Sequence, residues 1–183
     1  MEKRRVVITG MGAVTPIGLT AAESWAAAKA GVCGIGPITQ YDPSAMKVKL
    51  AAEVKNFVPE QYMEKRDVRK TDRFVQLALA AAAEAMAQSG LDIQAEDPFR
   101  CATIVSAGIG GLYTMQHECD RGAAKGYDKV SPFFIPMTIG NMAAGQIAIK
   151  YGLKGMCTCP TAACAGGSNA GGDAFRSVRD GFA

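Results

Sequence analysis

An apolar run at residues 6–9 (Val6, Val7, Ile8, Thr9), stopped by Gly10, predicts a buried strand near the start of the chain. From 20 to 30 the chain is Ala-rich around Trp25 and stops near Gly31, which predicts a helix. Between 31 and 63, Gly31, Gly34, Gly36, Pro37, Pro43 and Pro59 interrupt every periodicity, so loops with short strands are expected. The plainest helix lies at 71–89. Thr71 or Asp72 can cap it, Phe74, Leu77, Ala78, Ala81 and Ala85 recur at helical spacing, and Gly90 ends it. Its stripe is mostly alanine, so a neighbour can pack very close. A second buried strand is predicted at 102–105, broken by Gly108-Ile109-Gly110-Gly111. A helix follows at 112–124, a Pro-broken apolar loop at 131–136, and a helix at 138–150 that ends at Gly152. Alternation of strand and helix patterns predicts α/β layering around a largely buried sheet.

The last thirty residues carry the chemistry. Residues 156–163 are short, apolar and partly β-branched, a strand pattern. After Cys164 come Gly166, Gly167, Gly171 and Gly172, then Ala174, Phe175 and Val178 at helical spacing. Glycine inside a helix costs about 1 kcal/mol relative to alanine. Four so close together predict a helix buried on several sides, entered by a sharp turn at Cys164. A thiol there faces unpaired backbone N–H groups and the positive end of the helix dipole, and both favour the thiolate. The same N–H groups can hold the oxyanion formed when a thioester is attacked. Strand, sharp turn with nucleophile, helix is the logic of a nucleophile elbow.

Composition narrows the function. The chain has 183 residues, 49% hydrophobic and 20% charged, which excludes a disordered or fibrous chain and fits one compact unit or part of one. Net charge is +3 and the pI about 8.5, too mild for a dedicated nucleic-acid binder. No apolar run reaches the length of a membrane span, and MEKRRVVITG lacks the apolar core of a signal peptide, so a cytoplasmic protein is expected. The six cysteines (Cys33, Cys101, Cys119, Cys157, Cys159, Cys164) should then be reduced. Cys157, Cys159 and Cys164 lack the paired C-x-x-C units of a structural zinc site, so no metal is expected, and Cys157 and Cys159 read as buried strand residues. Gly10 and Gly12 would need a third glycine where Thr15 stands, so they read as a strand-exit turn rather than a dinucleotide fingerprint. The lone histidine, His117, reads as a solvated helix residue.

The segment Ala-Cys164-Ala-Gly-Gly-Ser-Asn-Ala-Gly-Gly-Asp-Ala-Phe-Arg resembles the active-site cysteine region of β-ketoacyl-[acyl carrier protein] synthases, the condensing enzymes of fatty-acid synthesis. Val-Val-Ile-Thr-Gly-Met-Gly-Ala-Val-Thr-Pro-Ile-Gly resembles their first strand and turn, and Arg69-Lys70-Thr71-Asp72-Arg73-Phe74 the start of their long helix. Ser131-Pro-Phe-Phe-Ile-Pro-Met-Thr-Ile-Gly-Asn-Met142 is similar to the type II enzymes more than to type I. The likeness runs through the whole chain in order. One departure is Ala162, where the family usually has threonine.

The resemblance implies the N-terminal half, residues 1–183, of a thiolase-like layered αβα fold with a mixed sheet and a buried Gly-rich helix after the nucleophile. It implies that Cys164 accepts an acyl chain from acyl carrier protein and that malonyl-acyl carrier protein condenses with it, losing CO2, without a cofactor. Ile109, Phe133 and Phe134 match positions at the acyl pocket, the two phenylalanines in a loop that reaches a partner subunit. Lys65, Arg66, Arg69, Lys70 and Lys129 would dock the acidic carrier. The family completes its site with two histidines and a lysine from its other half, and none of them matches a residue here. A homodimer is implied for the full-length form, with no nucleic-acid or membrane partner. Two other readings stay open: a non-catalytic fragment or scaffold, and a polyketide-type condensing domain. Cys164 as an inert core residue, residues 64–73 as a plain solvated helix start, and Phe133 and Phe134 as core or interface residues are the bland alternatives.

Overall fold

The computed structural model describes residues 4–183. In chain order its elements are helix α1 (Ala21–Lys29), strands β1 (Ile35–Pro37) and β2 (Leu50–Ala52), and helices α2 (Lys65–Val68) and α3 (Arg73–Ser89). Strand β3 (Thr103–Ile104), helices α4 (Leu112–Lys125), α5 (Phe134–Thr138) and α6 (Met142–Tyr151), strand β4 (Cys157–Thr158) and helix α7 (Gly166–Asp180) follow. β1 pairs antiparallel with β2, and β3 pairs parallel with β4.

The core forms where α3 crosses α6. Val75 and Leu79 of α3 meet Ile147 of α6, with Phe74, Ala78, Met142 and Val105 packed around them. Ala80 of α3 and Ala143, Ala144 and Ala148 of α6 are also buried, and these side chains lose no rotamer freedom on burial. The helix stripe expected from the sequence is shifted. Val75, Gln76, Leu79 and Ala80 are the fully buried positions, whereas Phe74, Leu77, Ala78, Ala81 and Ala85 are half-buried. The cause is that α3 is covered from two directions. Opposite α6, the N-terminal segment lies directly on its backbone: a Cβ on Gly10 would overlap the Ala85 carbonyl oxygen, and one on Gly12 that of Ala81. Those glycines serve close packing.

Helix starts are tied by carboxylates, one buried and one half-buried. Asp72 caps α3 by accepting from the Phe74 amide (3.3 Å). Its other oxygen accepts from the Thr114 amide (3.1 Å) and hydroxyl (2.6 Å) in the first turn of α4. Glu84, midway along α3, accepts from the amides of Ala13 (3.0 Å) and Ala21 (2.9 Å), adding negative charge to the start of α1 beside its Thr20 cap. Gln76 donates its buried side-chain amide to the carbonyls of Thr71 (3.0 Å) and Val68 (3.2 Å), fastening α2 to α3.

Several sequence expectations change. Residues 6–9 form no strand; Val7 and Ile8 are exposed, because no described strand lies beside them. Apolar runs report a wish to be buried, not who supplies the neighbour. The strands expected at 102–105 and 156–163 shrink to two paired residues each. Cys157 is exposed and Cys159 half-buried, since β4 pairs only with β3. The loop at 131–136 runs into α5, with Pro136 in its first turn, where an amide is not required. The helix expected from 138 begins at Met142, after α5 has ended at Thr138. α7 is buried on one side only, at Gly166, Ala170 and Ser177.

One polar atom is orphaned. Thr103 Oγ1 is buried and has no hydrogen-bond partner among the described residues. Thr103→Val keeps the shape and removes the unpaired hydroxyl, so it is expected to leave stability unchanged or raise it by about 1 kcal/mol, as read by denaturant midpoint. A loss above 1 kcal/mol would assign that hydroxyl a partner.

Candidate active site

Cys164 lies in a single 3-10 turn, residues 163–165, between β4 and α7. The turn is sharp one residue earlier than expected. Ala163 has φ of 44°, in the left-handed region that costs a non-glycine residue about 1–2 kcal/mol. Among the described residues only Asn56 shares this with it. Such strain persists where the surroundings impose it, and it clusters at functional sites. The Ala165 amide donates to the Ala162 carbonyl (2.9 Å), closing the turn.

From there α7 runs fifteen residues with no side-chain cap and no acidic residue in its first turn. α1 and α3, by contrast, are each capped by a side chain. The start of α7 thus carries no side-chain cap, as is also true of α4 and α6, and Cys164 is exposed beside it. Burial, then the carboxylates of Glu96 and Asp97, pushes the Cys101 thiol up from its ordinary value and disfavours its thiolate.

Ile109, Phe133 and Lys70 are linked to the head of α7 by a run of contacts that starts at Gly166, two residues after Cys164. Gly166 at the head of α7 lies against Ser106. Ser106, Ile109, Phe74 and Ala78 line one depression of about 410 Å³, partly apolar, with Ile109 exposed at its edge. The Ile109 turn is pressed on α5: the Gly111 amide donates to the Thr138 carbonyl (2.9 Å), and a Cβ on Gly110 would overlap that oxygen. At the other end of α5, Phe133 lies beneath Lys70, whose Nζ is 5.1 Å from the ring centroid, while Phe134 is half-buried. One acyl-pocket candidate and one docking candidate are thus in contact, which sequence spacing alone did not reveal.

Lys65, Arg66, Arg69 and Lys70 are all exposed on and just after α2. Arg66 pairs with Glu64 (2.9 Å), and Lys129 pairs with Asp128 (2.8 Å). Pairs this exposed are worth little and exchange partners readily. His117 lies on the exposed face of α4, stacked on Tyr113 with centroids 6.1 Å apart. Among the described residues no three His, Cys, Asp or Glu side chains converge as metal ligands, and no helix is long and apolar enough to cross a membrane.

A wide groove of about 1320 Å³ runs between the N-terminal segment, α1, α3 and α7. Gly167 and Gly171 form part of its wall, with nothing within 4 Å of where their side chains would start. The sequence missed this opening because it read the α7 glycines as a mark of neighbours already in place.

Known proteins share this arrangement. The family model described as "Beta-ketoacyl synthase, N-terminal domain" matches residues 3–183. A "3-oxoacyl-[acyl-carrier-protein] synthase 2" of Synechocystis sp. is 42% identical over 183 residues, covering 100% of this chain and 44% of that protein. The protein of the same name from Staphylococcus aureus is 43% identical over 182 residues, again covering 100% and 44%. Among solved structures, "The ishigamide ketosynthase/chain length factor" superposes with a TM-score of 0.90 at 27% identity, over 98% of this chain and 45% of that one. The chain therefore spans under half the length of these relatives, and its α/β fold is that of the thiolase-like ketosynthases. With the family model matched across nearly every residue, the chain belongs to the β-ketoacyl synthase N-terminal domain family.

Proposed function

We propose that Cys164 is the nucleophile of a 3-oxoacyl-[acyl carrier protein] synthase and that residues 1–183 supply the N-terminal half of its condensing domain. The observation that carries this reading is an exposed cysteine on a strained turn at an uncapped helix start. The names of the relatives support the substrate class.

The thiolate attacks the thioester carbonyl of acyl-loaded carrier protein. Negative charge builds on that carbonyl oxygen, and the Cys164 backbone N–H offers half of an oxyanion hole. The carrier's thiol leaves with a proton, and the acyl chain stays on sulfur. Malonyl-carrier protein then loses CO2, and the electron pair left on carbon attacks the acyl-enzyme. Cys164 is released as thiolate, and the product is a β-ketoacyl thioester longer by two carbons. No step calls for a metal or cofactor. Ile109, Phe133 and Phe134 offer apolar wall to the chain. Lys65, Arg66, Arg69, Lys70 and Lys129 steer the acidic carrier, acting on association rate above all. The same reading makes the full-length protein a cytoplasmic homodimer, with the Phe133–Phe134 loop near the partner's pocket.

His117 is the only histidine, and its outward stacking on Tyr113 leaves decarboxylation to groups that the family carries in its other half. The chain by itself is expected to load acyl groups and not to condense them. The test is incubation with acyl-carrier protein, followed by peptide mass analysis. A hydroxylamine-labile acyl group on Cys164 supports the proposal, and acylation confined to other residues overturns it. Sustained β-ketoacyl product from this chain alone would overturn the division of labour.

The groove carries a second expectation. Trp25 and Met11 on its wall, with Val7 and Ile8 nearby in sequence, leave large apolar side chains exposed. Apolar patches beyond a few hundred Å² mark interfaces or aggregation sites. The isolated chain is expected to self-associate or aggregate in sedimentation velocity. A monodisperse, cooperatively melting monomer would count against a missing covering surface.

A further inference from the structure

Between positions 163 and 169 only Gly166 is buried; Ala163, Cys164, Ala165, Gly167, Ser168 and Asn169 are exposed. The first turn of α7 also has no side-chain cap. Gly166 is therefore the one buried residue of this turn, and what it meets is Ser106. A Cβ at 166 would overlap Ser106 Oγ and come 3.0 Å from Ser106 Cβ. Of the glycines at the head of α7 this is the only one explained by space, since Gly167 and Gly171 have nothing within 4 Å. Ser106 itself stands on a firm base. It follows β3, and the Val105 amide donates to the Thr158 carbonyl of β4 (3.1 Å). β4 is the strand that leads into the Cys164 turn, so both ends of the contact are referred to the same strand pair.

We propose that Ser106 is a positioning residue for Cys164, and that positions 106 and 166 form one steric unit with room for a single side chain. This rests on the reading of Cys164 as nucleophile. A side chain at 166 pushes the first turn of α7 off β3 and moves its amides relative to the sulfur two residues earlier. The same side chain is tolerated once 106 is glycine, because the occupied volume has only changed sides. Ser106 also lines the depression beside Ile109.

The experiment compares Gly166→Ser, Ser106→Gly and the double exchange with the unaltered chain. Iodoacetamide alkylation is followed across pH and quantified on the Cys164 peptide, with Cys101 as internal reference. Gly166→Ser is expected to slow alkylation of Cys164 by about tenfold and to shift its pH profile, since small misplacements cost large factors in rate. The double exchange is expected to return to within about twofold of the original, the non-additivity of groups in contact. Gly166→Ser behaving like the original chain, or a double exchange no better than Gly166→Ser, overturns the proposal. If Gly166→Ser does not fold, the double exchange decides: recovery of folded protein with the original Cys164 profile supports the unit, and failure to recover overturns it. The parent reading fails separately, when the unaltered chain takes no acyl group on Cys164.

Discussion

Replacing Cys164 by serine is expected to leave the chain folded and to lower acyl transfer from carrier protein by about a thousandfold or more. The two side chains differ by one atom, and position 164 is exposed, so packing hardly changes. What changes is the ionisable group. A thiol yields appreciable thiolate near neutral pH and is intrinsically nucleophilic, whereas a hydroxyl stays protonated unless a neighbouring base takes its proton. The residues that flank it in the chain, Ala162, Ala163, Ala165 and Gly166, offer no such base. The uncapped amides of α7 can stabilise an anion but cannot create one from serine. Transfer is read by intact mass and by hydroxylamine lability. Acyl groups found on the serine variant as readily as on the original would remove Cys164 from the mechanism.

Asp72→Ala is expected to be the most destabilising change outside the site, costing about 2–4 kcal/mol in denaturant unfolding at fixed protein concentration. One oxygen caps α3 through the Phe74 amide, and the other accepts from the Thr114 amide and hydroxyl in α4. Alanine removes a cap, worth about 1 kcal/mol, and leaves the buried Thr114 groups without their acceptor, a further 1–3 kcal/mol or so. The effect should reach Ile109. Gly111, at the start of α4, lies so close to Asp72 that an added Cβ would be 3.0 Å from its Oδ2, and Ile109 is two residues away. Asp72→Asn keeps one acceptor and should recover part of the loss. A cost below 1 kcal/mol for alanine would mean that the two helix starts find other acceptors.

These expectations draw unequally on residue order. Helix ends were legible: Asp72, Gly90 and Gly152 stand where caps and left-handed stops must stand. Their signals are local, since a cap needs only the next three amides. The turn at Cys164 ahead of α7 was legible for the same reason: a cysteine before a glycine-dense helix is a contiguous pattern.

Burial and pairing were less so. The run at 6–9 has the composition of a strand, yet pairing depends on a neighbour far away in sequence, and none of the described residues supplies it. The α3 stripe shifted because a second layer, Gly10 and Gly12, lies on its far side. The left-handed Ala163 carries no sequence mark, as alanine is the residue least expected there.

Residue order, then, settled where helices start and stop, because that is fixed within a turn of chain. Contacts between distant segments settled the rest: Ser106 against Gly166, Lys70 over Phe133, and an open groove beside the α7 glycines. Each of these depends on segments separated by dozens of residues being packed at once, and no short stretch of sequence encodes that distance.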